Sequence, residues 1–267
     1  MPATYSAYAS CWLAEFGPYT GTKHHLAAAG RHLDWVLQHY DAATGWFDLA
    51  GFFAEDHRAR SAVLHTVAYT LAGVLRTSEL LDCRPGITAV EAAALAAARR
   101  LELSGWLPGV VDHRWRACAS YACPTGNAQM ALVWFQLYRR GGNPVFLNAS
   151  LKAVDLVKRA QLMFSVDPDL RGGIPGSDPA WGAYISNALP NWATKFFIDA
   201  LLEKRRALAR LAERPRRRWE LPADVPRTLS EPPRRGAAPL RVVLYSTRAS
   251  PKVVQMVSRW SGALRRG

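Results

Sequence analysis

The chain has 267 residues, 49% hydrophobic and 21% charged, which is the composition of a globular protein with one main domain and room for a small appendage. No apolar run approaches the roughly 18–20 residues that cross a bilayer, and the opening MPATYSAYASCW lacks the basic and apolar regions of a secretory signal, so a cytoplasmic protein is expected. The formal charge of +13 invites a nucleic-acid reading, but 17 of the 34 Lys and Arg and 17 of the 21 Asp and Glu lie in residues 1–203, so the whole excess falls in 204–267 and no specific nucleic-acid surface is implied for the body.

In chain order, apolar residues at helical spacing predict helices near 4–16, 23–40, 58–81, 87–103, 125–140, 144–163 and 189–212, with no strand-like β-branched run among them. The turns Gly45-Trp46-Phe47, Gly105-Trp106-Leu107 and Gly173-Ile174-Pro175 each follow one helix and lead to the next. Their central residues stand 60 and 68 positions apart, the length of two helices with their connections, so the repeating unit is a helix hairpin. The helices before these turns, such as AVEAAALAAARRL (89–101) and FLNASLKAVDLVKRAQ (146–161), are alanine-rich and charged on one side, which suits an outer ring with a solvent face. Their alternates, HTVAYTLAGVL (65–75), GNAQMALVWFQLY (126–138) and NWATKFFIDALL (191–202), are apolar nearly all round and belong to an inner ring.

The body is therefore expected to span residues 1–212. Residues 213–240 concentrate Pro and Arg without periodicity and read as a basic linker. Beyond it, RVVLYS (241–246) has a buried-strand pattern and SPKVVQMVSRW (250–260) a helical one, so 241–267 reads as a truncated β-α fragment of a second domain. Cys11, Cys83, Cys118 and Cys123 are too few and scattered for a disulfide framework or a zinc site and are expected to be reduced.

The strings HTVAYTLAGVL, CPTGNAQMALVWFQLY and RGGIPGSDPAWGAYISNALPNWATKFFIDALL resemble an α/α-toroid family of bacterial proteins associated with polysaccharide biosynthesis, over roughly residues 4–205. That family is related in fold to six-hairpin glycosidases, uronate epimerases and polysaccharide lyases. The resemblance implies an all-α, partial α/α toroid, with further hairpins expected ahead of an inner helix that opens near Tyr5. Terpenoid cyclases and prenyltransferase subunits share the toroid, but their Asp-rich motifs are not found here.

Inner helices of a toroid aim their N-termini at one end of the barrel, so polar i, i+4 pairs in their first turns converge on one cavity. Three such pairs occupy equivalent points of successive units: His65 with Tyr69, Thr125 with Gln129, and Asn191 with Lys195. Imidazole titrates near neutrality and a phenol can pass a proton beside a sugar carbon, which makes His65 and Tyr69 the catalytic candidates, with Lys195 holding a carboxylate or phosphate. A core histidine, helix capping by Thr125 and Asn191, and a Lys195–Asp199 pair are the plainer readings of the same residues. Among the loop aromatics, Trp181 and Tyr184 are candidate sugar contacts, whereas Trp46 and Trp106 read as plugs of the repeated turns. Trp115, Asp112, His113, Arg114, Arg116 and Asp178 lie close by in sequence, and Gln129, Asn191, Asp112 and Arg116 complete the proposed binding set.

A glycosidase's paired carboxylates are not evident; the loop acids are Glu55, Asp56, Asp112 and Asp178. Within the toroid resemblance this favours a lyase or epimerase, where a His/Tyr/Lys set suffices to remove the proton α to a uronate carboxylate. No cofactor, metal or phosphate loop is implied. The expected function is binding or processing of a bacterial poly- or oligosaccharide. The rivals are a non-catalytic glycan- or protein-binding scaffold, and an isoprenoid-binding toroid lined by Trp134, Phe135, Phe196 and Phe197. Because the composition of 213–240 cannot bury enough apolar surface to offset ordering, truncation after residue 212 should leave the Tm almost unchanged. A fall of more than about 8 °C, equivalent to roughly 2 kcal/mol in a domain of this size, would show that the C-terminal segment contributes to the body's stability.

Overall fold

The computed structural model describes residues 2–21 and 23–213; the linker and the β-α fragment expected beyond Glu213 lie outside the described residues. After a single 3₁₀ turn, Thr4–Ser6, the chain forms α1 (Ala7–Thr20), α2 (Lys23–Leu37), β1 (Tyr40–Asp41), β2 (Trp46–Phe47), α3 (Ala54–Ala59), β3 (Ser61–Val63), α4 (Leu64–Leu80), α5 (Arg84–Ser104), β4 (Val110–Asp112), α6 (Pro124–Gly141), α7 (Pro144–Ala160) and α8 (Asn191–Glu213).

Short connections make α1–α2, α4–α5 and α6–α7 neighbours that run antiparallel, as a helix hairpin requires. The hairpin boundaries follow from local chemistry. Pro124 and Pro144 open α6 and α7 at the position where the missing N–H costs nothing, the Asn143 side chain accepts from the Val145 N–H at 3.0 Å, and Gly142 closes α6 in the left-handed conformation at φ 70°.

The central helices α4 and α6 are the most deeply buried. Of 17 residues each, α4 buries twelve and α7 seven, and those of α7 form one stripe (Phe146, Leu147, Ala149, Ser150, Ala153, Val154, Val157). Helix α1 packs on α4, α4 on α6 and α6 on α8, so these four form the inner layer, with α2, α5 and α7 outside it. The inner helices run parallel, because their cross-helix pairs advance in step. Tyr8 meets Tyr69 and Glu15 meets Arg76; His65 meets Gln129 and Glu79 meets Gln136. Gln129 and Phe196 share one cavity near the starts of α6 and α8 and Arg139 reaches Glu203 further along, so this pair runs in the same sense.

Two glycines set the spacing between these helices. A Cβ on Gly73 would lie 2.2 Å from the Ala7 carbonyl carbon, and one on Gly126 would lie 2.8 Å from the His65 nitrogen. Only a residue without a side chain permits either approach. At the two ends of the series the inner helices keep apolar flanks in solvent: Trp12, Phe16 and Tyr19 on α1, and Trp192, Ile198 and Leu208 on α8.

The continuous helix expected over 58–81 is instead broken. Arg60 takes a left-handed conformation (φ 47°), and Ser61–Val63 pairs antiparallel with Val110–Asp112 before α4 begins. The reason is nonlocal: the loop following α5 supplies the partners, with Leu64 N–H bonded to the Gly109 carbonyl and His113 N–H to the Arg60 carbonyl. Likewise the helix expected to reach residue 40 ends at Leu37, and Tyr40–Asp41 pairs with Trp46–Phe47 across the Gly45 turn. Chain packed over helix ends must satisfy its backbone polar groups, and these two short ladders do so where periodicity predicts no strand.

Gly73→Ala should lower stability despite the better helix propensity of alanine, worth about 1 kcal/mol, because the added methyl meets backbone rather than a side chain that can move. A net cost of about 1–2 kcal/mol would lower the Tm by roughly 2–8 °C. Gly141→Ala, where a Cβ meets nothing within 4 Å, should not lower it; equal losses in the two variants would contradict the close-approach account.

Candidate functional site

His65 is the second residue of α4, and the close seating of Gly126 brings the first turns of α6 against it. There His65 Nδ1 lies 2.7 Å from Gln129 Oε1, both side chains being buried. An amide oxygen only accepts, so Nδ1 carries the proton and Nε2, which makes no hydrogen bond, presents its lone pair. Burial pulls the His65 pKa below the ordinary imidazole value, against a smaller upward pull from the Gln129 bond. The ring is therefore neutral at physiological pH.

One turn on, the Tyr69 ring lies 4.3 Å from the imidazole and stacks on Tyr8 of α1 at 4.2 Å and 16°. Phe196 of α8 meets Tyr69 edge-on at 6.0 Å. Burial raises the phenols of both tyrosines, that of Tyr8 to about 12, so both remain protonated donors. Tyr184, from the loop between α7 and α8, brings its ring to 5.8 Å from His65, and burial pushes its phenol strongly upward.

Beside this cluster the four inner helices line a cavity of about 190 Å3, to which Tyr8, Tyr69, Gln129 and Phe196 contribute together with Trp12, Arg76 and Gln136, while His65 and Tyr184 do not line it. It is smaller than the roughly 300–1,000 Å3 of drug-sized pockets and has room for a single ring-sized unit. Among the described residues no carboxylate lines it. Arg76 is held from the side by both oxygens of Glu15, at 2.9 and 3.1 Å, and Gln136 donates to Glu79 at 2.7 Å. Three buried side-chain atoms on α6, Thr125 Oγ1, Asn127 Oδ1 and Gln129 Nε2, have no hydrogen-bond partner among the described residues, although the Gln129 amide lies close enough to the Tyr69 phenol to oppose the upward pull of burial on it. The cap of α6 is Cys123, whose sulfur accepts from the Gly126 N–H, so capping does not account for Thr125.

Of the nine candidates read from sequence, His65, Tyr69, Gln129 and Tyr184 come together. The others are placed differently. Lys195 is more than half exposed, pairs with Asp199 at 2.7 Å and lies 4.2 Å over the Phe196 ring, so it touches the cluster only through that ring. Asn191, the first residue of α8, is exposed and its side chain makes no hydrogen bond among the described residues, and Trp181 is exposed on its loop.

Asp112 is closed within its own loop. It accepts from the Arg114 and Arg116 N–H groups and from the Arg116 guanidinium; burial acts to raise its pKa, but these bonds outweigh it and hold the carboxyl below its usual value. Glu55 pairs with Arg58, and Asp56 accepts from the Phe53 N–H. Trp46 and Trp115 plug the turns edge to face at 5.5 Å, with Trp115 Nε1 donating to the Thr44 carbonyl. Trp134, Phe135 and Phe197 fill the core, leaving Phe196 as the member of that aromatic set that faces the cavity. Sequence reasoning missed Tyr8, whose place in the first turn of α1 matches that of Tyr69 near the start of α4.

No family model matches the chain, and no curated protein matches it. Solved structures do. A polysaccharide lyase superposes with a TM-score of 0.58 at 16% identity, covering 78% of this chain and 62% of that one. A glycosyl hydrolase of family 88 from Bacteroides vulgatus gives 0.57 at 14%, covering 76% and 62%. A D-mannose isomerase gives 0.59 at 11%, covering 78% and 55%. The fold is an α/α toroid. At these identities the likeness establishes the fold alone. The chain spans about 55–62% of the length of these toroids.

The buried, neutral His65 gives a signed prediction. A group whose folded pKa is depressed binds fewer protons in the folded state, so its contribution to stability is complete above the unfolded value near 6.5 and is lost as pH falls below it. In an NMR titration His65 should therefore have its midpoint below 6.5. Gln129→Leu, which removes the bond favouring the charged ring, should lower that midpoint further; a rise would overturn the assignment.

Proposed function

We propose that this toroid acts on a saccharide at the N-terminal end of its inner helices by proton transfer to and from a sugar carbon, as a lyase or epimerase does, with a bacterial poly- or oligosaccharide as substrate. The observation that carries this reading is the His65–Gln129 bond. It fixes the tautomer that leaves Nε2 free as a base, beside the protonated phenols of Tyr69 and Tyr184. A carbon acid α to a carboxylate or carbonyl loses its proton to His65 Nε2, and a neutral phenol returns a proton or protonates the departing oxygen.

Gln129 has a second part in this scheme, because its unpartnered Nε2 can donate to a sugar hydroxyl or carboxylate. Tyr8, stacked on Tyr69, supplies an aromatic face, while Trp181, Asn191, Arg116 and Asp112 are candidate outer contacts and Lys195 a candidate partner for an anionic group. A cavity without a lining carboxylate argues against the two-acid hydrolytic arrangement. That the similar structures include a polysaccharide lyase and a glycosyl hydrolase agrees with a sugar substrate.

The test is exchange of carbon-bound hydrogen in D2O, followed by mass spectrometry over a panel of neutral and uronate-containing oligosaccharides. The expected outcome is deuterium incorporation or an unsaturated product with one class of them. His65→Ala and Tyr69→Phe should each reduce it by about 10²–10⁴-fold, the usual contribution of a general acid or base, with unchanged circular dichroism and retained binding. Full exchange in His65→Ala would overturn the assignment of the base. Oligosaccharide binding with no exchange in the unsubstituted protein would leave the glycan-binding scaffold as the better reading.

A further inference from the structure

At the opposite end of the inner layer a second cavity is built from basic side chains. The C-terminal halves of α6 and α8 part to leave about 310 Å3, lined by Phe135, Tyr138 and Arg139 of α6 and by Glu203, Arg206 and Arg210 of α8, with the glycine pair that ends α6. Glu203 organises it. Its two oxygens accept from Arg139 Nη1 at 2.8 Å and from Arg206 Nη1 at 2.5 Å, so one half-buried carboxylate holds guanidiniums from two different helices at one crevice.

Each guanidinium has five N–H donors, and the bonds to Glu203 leave most of them free. Arg210 makes no ion pair among the described residues. Basic residues in the last turn of a helix ordinarily offset its negative end, about half a charge per helix. Three guanidiniums exceed what one carboxylate and two such half-charges neutralise, so the crevice retains positive potential. Compensation of the helix ends also gives no reason for arginines of two helices to share one acid beside an open cavity.

We propose that this crevice is a binding site for a small tetrahedral oxyanion, a phosphate or sulfate group, free or carried on a sugar. The free edges of Arg139, Arg206 and Arg210 would grip its oxygens in the forked geometry that guanidinium favours, and Tyr138 would flank it. The site is distinct from the His65 cluster and does not rest on the saccharide reading.

The full-length protein would be titrated calorimetrically with inorganic phosphate, sulfate and acetate at low salt. A saturable phosphate or sulfate site with a Kd of about 1 mM or tighter is expected, with acetate weaker. Arg206→Lys, which keeps the charge but loses the fork, and Arg210→Ala should each weaken it about tenfold, at unchanged Tm. Arg58→Ala, on exposed α3, should change nothing, whereas an equal loss there would show diffuse attraction to a basic protein and overturn the proposal. So would the absence of saturable binding up to about 20 mM, an unaffected Arg206→Lys variant, or acetate binding as well as phosphate. If sulfate and phosphate bind alike, a sulfated or phosphorylated sugar offered next should compete with them; if neither does, the ligand is the free ion.

Discussion

The parallel packing of the inner helices rests on how closely they can approach. At Gly73 the backbone of α1 sits where any side chain would be, and at Gly126 the first turn of α6 sits against the nitrogen of His65. The first contact lays Tyr8 on Tyr69, and the second brings Gln129 within bonding distance of His65. Move either helix outward by the width of a methyl group and the cluster loses its stack or its hydrogen bond. The geometry of the site is therefore set by two residues that take no part in its chemistry.

Parallel alignment also gives the inner layer two electrically different ends. The N-termini gather at the His65 end, where their partial positive charge disfavours an imidazolium and favours an anionic ligand group. The C-termini gather at the other end, where Arg139, Arg140 and Arg210 offset the negative ends of α6 and α8. Between them, ion pairs join successive inner helices: Glu15 to Arg76, Glu79 to Arg140, Glu203 to Arg139. All are partly exposed and each contributes about 0–1 kcal/mol, so they set register more than stability. The stability comes from burial of residues such as Leu64, Leu71, Leu75, Trp134 and Phe135, at about 1.5–3 kcal/mol for each large side chain taken fully from water.

Against that background the unpaired atoms of α6 are informative. Leaving Thr125 Oγ1, Asn127 Oδ1 and Gln129 Nε2 buried without partners among the described residues costs about 1–3 kcal/mol each. A ligand oxygen supplied to the amide recovers part of that cost, which ties substrate affinity to the same residue that orients the histidine. Lys195 shows the opposite case: its charge is already met by Asp199 and by the face of Phe196, so its interaction with any ligand competes with contacts it makes now.

The sequence by itself determined the hairpin repeat, the division into inner and outer helices, and the i, i+4 spacing that puts His65 with Tyr69, and Thr125 with Gln129, on one face of a helix. These follow from periodicity within one helix and from turn glycines such as Gly45 and Gly105, which act over a few residues. The tertiary structure decided the break at Arg60 and the pairing of β3 with β4, because their hydrogen-bond partners lie about fifty residues away, beyond any local signal. It also decided which members of equivalent pairs meet. Asn191 and Lys195 occupy the positions on α8 that Thr125 and Gln129 occupy on α6, yet Gln129 turns to His65 while Lys195 turns to Asp199. A carboxylate one turn along the same helix is always within reach of a lysine, whereas a partner across the interior is reached only where the neighbouring helix comes as close as Gly126 allows.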